Sequence, residues 1–153
     1  MRSLGIVCWL LSACTLLCQP EIMAQDVKVL VLDALDGRPQ ANVEVEYFCA
    51  GPPRNSAFER TTTDKEGFAK ISNFCSEKQQ LEISVYSPDS KEQCGDDAVM
   101  NYNDVLSRGF VNKPDSAGGI WCPTKVSRTL KPLPGQVILF IKRPTWWQSH
   151  VAG

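Results

Sequence analysis

Histidine is nearly absent from this chain of 153 residues: His150, close to the C-terminus, is the single one. No two cysteines have the C-x-x-C spacing of a redox centre or a zinc knuckle. We therefore expect neither a metal nor another cofactor. Nucleophilic catalysis needs a nucleophile, a base and an orienting group within reach of one another. One histidine near a chain end does not supply that set, so we expect no catalytic residues and no enzyme activity.

The chain also lacks an apolar run long enough to cross a membrane as a helix, which takes about 20 residues. Its longest mostly apolar run, Leu4–Leu17, follows the positive residue Arg2 and has the length of a signal-peptide core. The small residue Ala24 suits cleavage. We therefore expect residues 1–24 to be a signal peptide and residues 25–153 to form one secreted or periplasmic domain.

A second way of processing the N-terminus stays open. The segment Leu11–Cys14 resembles a bacterial lipobox, in which the cysteine is lipidated and becomes the mature N-terminus. A lipid on Cys14 would make the protein a membrane-anchored lipoprotein, and this would be its contact with a membrane. The chain has no N-x-Ser/Thr glycosylation sequon, which agrees with a bacterial source.

A net charge of −1 hides an uneven charge distribution. Residues 26–107 carry eight Lys/Arg against fifteen Asp/Glu, whereas residues 108–153 carry seven Lys/Arg against Asp115 alone. The basic residues are scattered and form no cluster, so we expect no nucleic-acid partner. The simplest interpretation is that the acidic and basic parts lie side by side in one fold.

Four cysteines remain after residue 24, and an even number in an exported chain indicates two disulfides. Three connectivities are compatible with the sequence. We favour the local pairing, which joins Cys49 to Cys75 and Cys94 to Cys122. Each bond would close a loop of about 25–30 residues and add roughly 3.5 kcal/mol of stability through chain entropy.

Short strands separated by Gly, Pro and Asp turns indicate an all-β fold, either a sandwich or a barrel. Residues 43–48 and 81–86 alternate between apolar and polar with period two, which is typical of strands with one wet face. Residues 136–141 are apolar enough to form a central strand. The remaining predicted strands are 27–32, 58–63 and 68–71.

The β pattern stops in residues 88–123, where apolar residues fall close to helical spacing. We predict one amphipathic helix at about 97–108, with Asp96 or Asp97 as its N-cap and Gly109 as its C-terminal stop. A disulfide would tie the ends of this insert together.

Two stretches carry a family resemblance. Residues 29–43 run from an apolar strand through an Asp-Gly-Arg-Pro turn to Ala-Asn-Val, and residues 62–69 contain a Thr-Asp-x-x-Gly turn followed by an apolar strand. Both resemble carboxypeptidase regulatory-like domains, which are similar to transthyretin and to collagen-adhesin B-type modules. The resemblance covers roughly the first half of the expected mature chain and implies a Greek-key sandwich of about seven strands. Its motifs mostly encode turns, so they concern the fold more than the function.

The chemistry of related folds does not transfer to this chain. Hydroxyisourate hydrolases of transthyretin type use several histidines, and intradiol dioxygenases hold iron with two histidines and two tyrosines. Adhesin B-type domains often carry a Lys–Asn isopeptide bond, and Lys28 is suitably placed, but the last strand has no Asn or Asp partner. The resemblance therefore implies an accessory module that binds a protein or glycan, or acts as a spacer.

The C-terminal aromatic residues are the candidate binding residues. Trp146 and Trp147 are adjacent, and neighbouring residues of an extended segment cannot both point into a core. One tryptophan is therefore expected to be exposed beside Lys142 and Arg143. Exposed tryptophan can stack on a sugar ring or fill a partner's pocket. We expect an exported, non-catalytic binding or structural module that contacts a protein or glycan in the cell envelope or outside the cell.

The alternative function is a small hydrolase with a carboxylate-based site in the insert. Its residues would include Asp96, Asp97, Asp104 and Arg108, because paired carboxylates can perform acid/base chemistry when their pKa values are shifted.

Overall fold

The computed structural model describes residues 26–52, 58–72, 75–76, 78–95, 97–112, 122, 126 and 129–143. Within these residues the chain forms nine strands and one helix: β1 (Val27–Asp33), β2 (Glu44–Ala50), β3 (Glu59–Thr62), β4 (Phe68–Ile71), β5 (Gln80–Tyr86), β6 (Glu92–Gln93), β7 (Ala98–Asn101), α1 (Tyr102–Arg108), β8 (Phe110–Val111) and β9 (Gln136–Lys142).

The strands form two sheets that pack face to face. The first sheet has the order β4-β1-β9-β6, with β8 also paired to β9, and the second has the order β3-β2-β5-β7. Strand β9 runs parallel to β1 and β8 and antiparallel to β6, so it occupies the middle of the first sheet. The predicted all-β sandwich is therefore confirmed, and each of the six predicted strands is present.

Alternation explains why the second sheet has one dry and one wet face. In β2 the residues Val45, Tyr47 and Cys49 are buried, and their neighbours are half-buried. In β5 the buried residues are Leu81, Ile83 and Val85. All of them join β1 and β9 residues in the core between the sheets. Burying one such aliphatic side chain contributes roughly 1.5–3 kcal/mol, so this core is the main source of stability.

The middle of the first sheet is buried on both faces. A second cluster of buried residues contains Leu32, Ala34, Ile138 and Phe140 together with two cysteines, and Val111, Val126 and Leu130 pack against it. These residues alternate along β1 and β9 with those that face the other sheet, so the cluster covers the outer side of the first sheet. This accounts for the apolar run of β9, as predicted for a central strand.

Both disulfides have the favoured local connectivity. Cys49 in β2 is bonded to Cys75, and Cys94 is bonded to Cys122, with sequence separations of 26 and 28 residues. All four cysteines are buried. The first bond joins the core to the connection before β5, and the second lies in the cluster outside the first sheet.

The predicted helix is correct only in its second half. Residues Ala98–Asn101 form β7, which pairs with β5, and the helix begins at Tyr102. The N-cap is Asn101, whose side chain accepts hydrogen bonds from the next residues, so Asp97 is not a helix start. Gly109 ends the helix as predicted, with φ of +72°. Strands β6, β7 and β8 also lie in this segment, so the β pattern does not stop there.

Three further predictions fall on residues that are not described: the signal peptide 1–24 with the lipobox, Asp96, and the tryptophan pair. Among the residues that the structure describes, no helix is long and apolar enough to span a membrane.

Candidate binding surface

Of the predicted C-terminal site, the structure describes the two basic residues Lys142 and Arg143. Trp146 and Trp147 lie outside the described residues. Lys142 is the last residue of β9, where it pairs with Glu92 of β6, and its side chain is buried. Arg143 follows it and is exposed. The two basic residues therefore have different surroundings, and Arg143 is the one available to a ligand.

The carboxylates predicted for the insert lie on different elements. Asp104 and Arg108 are exposed on α1, where Asp104 Oδ1 and Arg108 Nη2 form an i,i+4 ion pair at 2.7 Å. Asp97 precedes β7 and accepts a hydrogen bond of 2.7 Å from the hydroxyl of Ser84 in β5. Asp97 is thus directed to the second sheet rather than to the helix.

The side of the second sheet that faces away from the core, which we name the outer face, carries exposed side chains. Exposed fractions are 61% for Phe58, 48% for Val99 and 53% for Tyr86. This differs from the first sheet, whose corresponding side is covered by the second cluster. The strand registers place the following residues on the outer face: Arg60 and Thr62 of β3, Glu44, Glu46 and Phe48 of β2, Glu82, Ser84 and Tyr86 of β5, and Val99 of β7. Phe58, just before β3, joins them through its ring contact with Phe48, and Asp97, just before β7, joins them through its hydrogen bond with Ser84.

The outer face is acidic. Arg60 binds Glu46 at 2.6 Å (Nη2 to Oε2) and Glu44 at 3.4 Å (Nη1 to Oε1), and these carboxylates raise the pKa of the guanidinium. On the neighbouring strands, burial raises the pKa of Glu82, and the charge of Asp97 raises it further. The described part of the outer face therefore carries four carboxylates and one guanidinium, which contacts two of them, and this gives the face a negative potential.

Two depressions lie on either side of Tyr86. One has a volume of about 320 Å³ and is lined by the end of β5 and by residues around β6, including Gln93 and Asp97. The other has a volume of about 360 Å³ and is lined by Asn42, Glu44 and Thr62. Tyr86 and Ser87 line both depressions, so the two are neighbours at the end of β5.

A half-buried ion pair holds the connection between β5 and β6, which borders the first depression. Lys91 Nζ lies 3.0 Å from Asp33 Oδ2 at the end of β1, and it also donates to the side-chain oxygen of Gln40. Burial acts to raise the pKa of Asp33, but the backbone N–H of Leu35 and the ammonium of Lys91 outweigh it, so the pKa is lowered. Lys91 is thereby held at the border of the depression, with its charge already paired.

The sequence pattern places Glu44, Glu46 and Tyr86 in predicted strands with one wet face, but it does not show which of these residues are neighbours. The register does so, because Glu44 pairs with Tyr86 and Glu46 pairs with Ser84. Alternation along each strand signals which residues share a side, and it was visible in the sequence. The neighbours across strands were not.

No protein-family model matches the chain, and a comparison with curated proteins finds no match. Among the described residues, no group of three or more His, Cys, Asp or Glu is arranged to hold a metal ion.

Proposed function

We propose that this protein is an exported, non-catalytic binding module of the carboxypeptidase regulatory-like type, and that the outer face of its second sheet contacts a protein or glycan of the cell envelope or the exterior. The open outer face carries this proposal. It combines three exposed apolar side chains with a cluster of like charges, whereas a second apolar cluster packs on the corresponding side of the first sheet.

The two turn motifs support the family assignment. The Asp-Gly-Arg-Pro turn connects β1 to β2, with Gly37 at φ of +73°. The Thr-Asp-x-x-Gly turn connects β3 to β4, where Asp64 Oδ1 accepts the backbone N–H groups of Glu66 at 3.0 Å and Phe68 at 2.9 Å. Both motifs thus form the tight turns between strands that the resemblance implies.

Two disulfides support export, because such bonds persist in oxidising compartments and are rare in the cytosol. The signal-like N-terminus agrees with this. Whether the protein is released, or is anchored through a lipid on Cys14, is decided by the intact mass of the exported chain. A chain that begins at Gln25 is released, whereas a lipid-modified chain that begins at Cys14 is anchored.

The outer face is tested by co-sedimentation of the exported full-length protein with washed envelope fragments from cells of the source organism. A triple variant replaces Phe58, Tyr86 and Val99 by serine. The control replaces two exposed leucines on turns, Leu35 and Leu133, by serine. We expect the wild type and the control to sediment with the fragments and the triple variant to remain in solution. Equal sedimentation of all three proteins, or of none, would contradict the proposal.

Treatment of the fragments separates the two partner classes. Protease digestion of the fragments removes a protein partner, and periodate oxidation removes a glycan. The treatment that abolishes sedimentation of the wild type identifies the class.

A second candidate function, a carboxylate-based hydrolase, is favoured by Glu82. Burial and the charge of Asp97 raise the pKa of Glu82, and a carboxyl group with a raised pKa can act as a general acid. The assay is the release of reducing ends from soluble polysaccharides by the wild type and by Glu82→Gln. Release that is lost in the variant would support the hydrolase and overturn the non-catalytic proposal. We expect no release by either protein.

A further inference from the structure

The two depressions beside Tyr86 have the composition of a sugar-binding site. We propose that they bind two neighbouring rings of an uncharged oligosaccharide, with the Tyr86 ring in contact with the sugar between them. This rests on the proposed function and names its ligand class. Volumes of about 320 and 360 Å³ lie at the lower end of the roughly 300–1,000 Å³ that is usual for small-molecule pockets.

The first depression lies where β5 extends beyond its neighbour β7, at the C-terminal end of β5. Strand β7 pairs with β5 only as far as Ala98 opposite Ile83. Beyond this point the backbone N–H of Val85 donates to the side-chain oxygen of Gln93 at 2.9 Å instead of to a strand. A side-chain amide thus takes the place of a neighbouring strand, and the space beside β5 remains accessible to a ligand.

The second depression is bordered by a residue in an unusual conformation. Asn42 has φ of +59°, in the left-handed region that few residues other than glycine adopt. It is held there by hydrogen bonds of the local backbone, since its N–H donates to the carbonyl of Thr63 at 3.0 Å. Asn42 is exposed, and it lines this depression together with Glu44.

The chemistry of these groups matches that of a sugar ring. A pyranose presents C–H groups on its faces and hydroxyls around its edge. The face can pack on an exposed aromatic ring, and carboxylate, amide and hydroxyl groups can pair with the hydroxyls. Tyr86 supplies the ring, Asn42 and Glu44 supply polar groups on one side, and Ser84 and Asp97 supply them on the other.

Charge determines which sugars fit. Glu92 and Asp97 contribute carboxylates to the first lining, and Glu44, whose charge is partly offset by Arg60, contributes one to the second. Together they repel uronic acids and sulfated sugars. Lys91 also lines the first depression, but its positive charge is paired with the carboxylate of Asp33. An uncharged oligosaccharide is therefore favoured over an anionic one.

The experiment is a titration of the ¹⁵N-labelled exported protein, followed by amide NMR shifts. The neutral probes are maltohexaose, cellohexaose, xylohexaose and chitohexaose, and hexagalacturonate is the anionic control. We expect at least one neutral probe to shift the amides of Asn42, Glu44, Ser84 and Tyr86, while the anionic probe shifts none of them.

Two variants test the role of the aromatic ring. Tyr86→Ala is expected to weaken binding of the active probe about tenfold or more, because the ring loses its contact with the sugar. Phe68→Ala, which removes a partly exposed ring from β4 in the other sheet, is expected to change the affinity less than about twofold. Equal effects of the two variants would overturn the assignment of the site.

If none of the four neutral probes shifts these amides, the inference is wrong. The proposed function then stands or falls separately with the sedimentation assay. Sedimentation that is sensitive to protease would retain a binding module with a protein partner. Absence of both signals would contradict both proposals.

Discussion

Replacement of Gly109 by alanine provides the most direct test of how the helix joins the sheet. Gly109 ends α1 at φ of +72°. A Cβ atom at this position would lie 2.3 Å from the carbonyl oxygen of Leu133, 2.7 Å from Pro132 Cβ and 2.9 Å from the carbonyl oxygen of Gln136. Two of these neighbours are backbone atoms, so the collision cannot be relieved by rotation of a side chain.

The connection before β9 has little freedom to yield. Gly135 N–H donates to the carbonyl of Val105 at 2.8 Å, and Gln136 N–H donates to that of Leu133 at 2.9 Å. With ψ of 178°, Gly109 lies in a backbone region that is essentially restricted to glycine, which costs another residue roughly 1–3 kcal/mol. Forcing extra volume into a packed site typically adds about 1–3 kcal/mol. We therefore expect Gly109→Ala to lower the free energy of unfolding by about 3 kcal/mol or more.

Gly37 provides the matched control. Its φ of +73° is nearly the same, but an added Cβ would meet only the side chain of Val126, at 3.1 Å. Gly37→Ala is therefore expected to cost only about 1–2 kcal/mol from the backbone conformation. Urea unfolding of the oxidised proteins, with equal m-values, measures both losses. Equal losses for the two variants would show that the close approach at Gly109 does not constrain the chain.

Three further predictions concern the cross-links, the ion pair and the helix cap. Removal of the second disulfide by Cys94→Ala with Cys122→Ala is expected to lower the free energy of unfolding by about 3.5 kcal/mol, the chain-entropy value for a loop of this length; an unchanged urea midpoint would refute it. Asp33→Asn is expected to destabilise the protein at pH 7 by about 1–3 kcal/mol. Because the pKa of Asp33 is lowered from 3.8 on folding, its contribution is present above pH 3.8 and is lost as the pH falls through the lower folded value. The difference in urea stability between wild type and variant should therefore shrink below pH 3.8, and a constant difference would contradict the assignment. Asn101→Ala is expected to cost about 1 kcal/mol as the lost N-cap, whereas Asn103→Ala, on the exposed side of the same helix, should cost less than about 0.5 kcal/mol. Similar midpoints for these two variants would show that Asn101 is not the cap.

The sequence predicted the long strands because each has a clear pattern. Residues Glu44–Ala50 and Gln80–Tyr86 alternate, whereas residues 137–141 are continuously apolar because β9 is buried on both faces. The two-residue strands β6 and β8 are too short to show any period. They form because they pair with the edge of β9 that β1 leaves free, and this pairing depends on the tertiary structure.

The helix start was misplaced for a specific reason. Ala98, Val99 and Tyr102 stand at spacings that suit a helix, yet Ala98 and Met100 are buried in alternation with exposed residues, as in a strand. A short apolar run fits both periods, and only pairing with β5 decides between them. The true signal was Asn101, a good N-cap residue directly before Tyr102.

The composition of the outer face is tied to the core through the register of β2 and β5. Val45, Tyr47 and Cys49 face inwards, so the residues between them must face outwards. A slip of one residue would place the carboxylates of Glu44 and Glu46 in the core, at a cost of several kcal/mol for each buried charge. The core therefore enforces the register in which Glu44 lies opposite Tyr86. Substitutions that preserve the inward residues leave this pairing intact, so the chemistry of the outer face can change without loss of the fold.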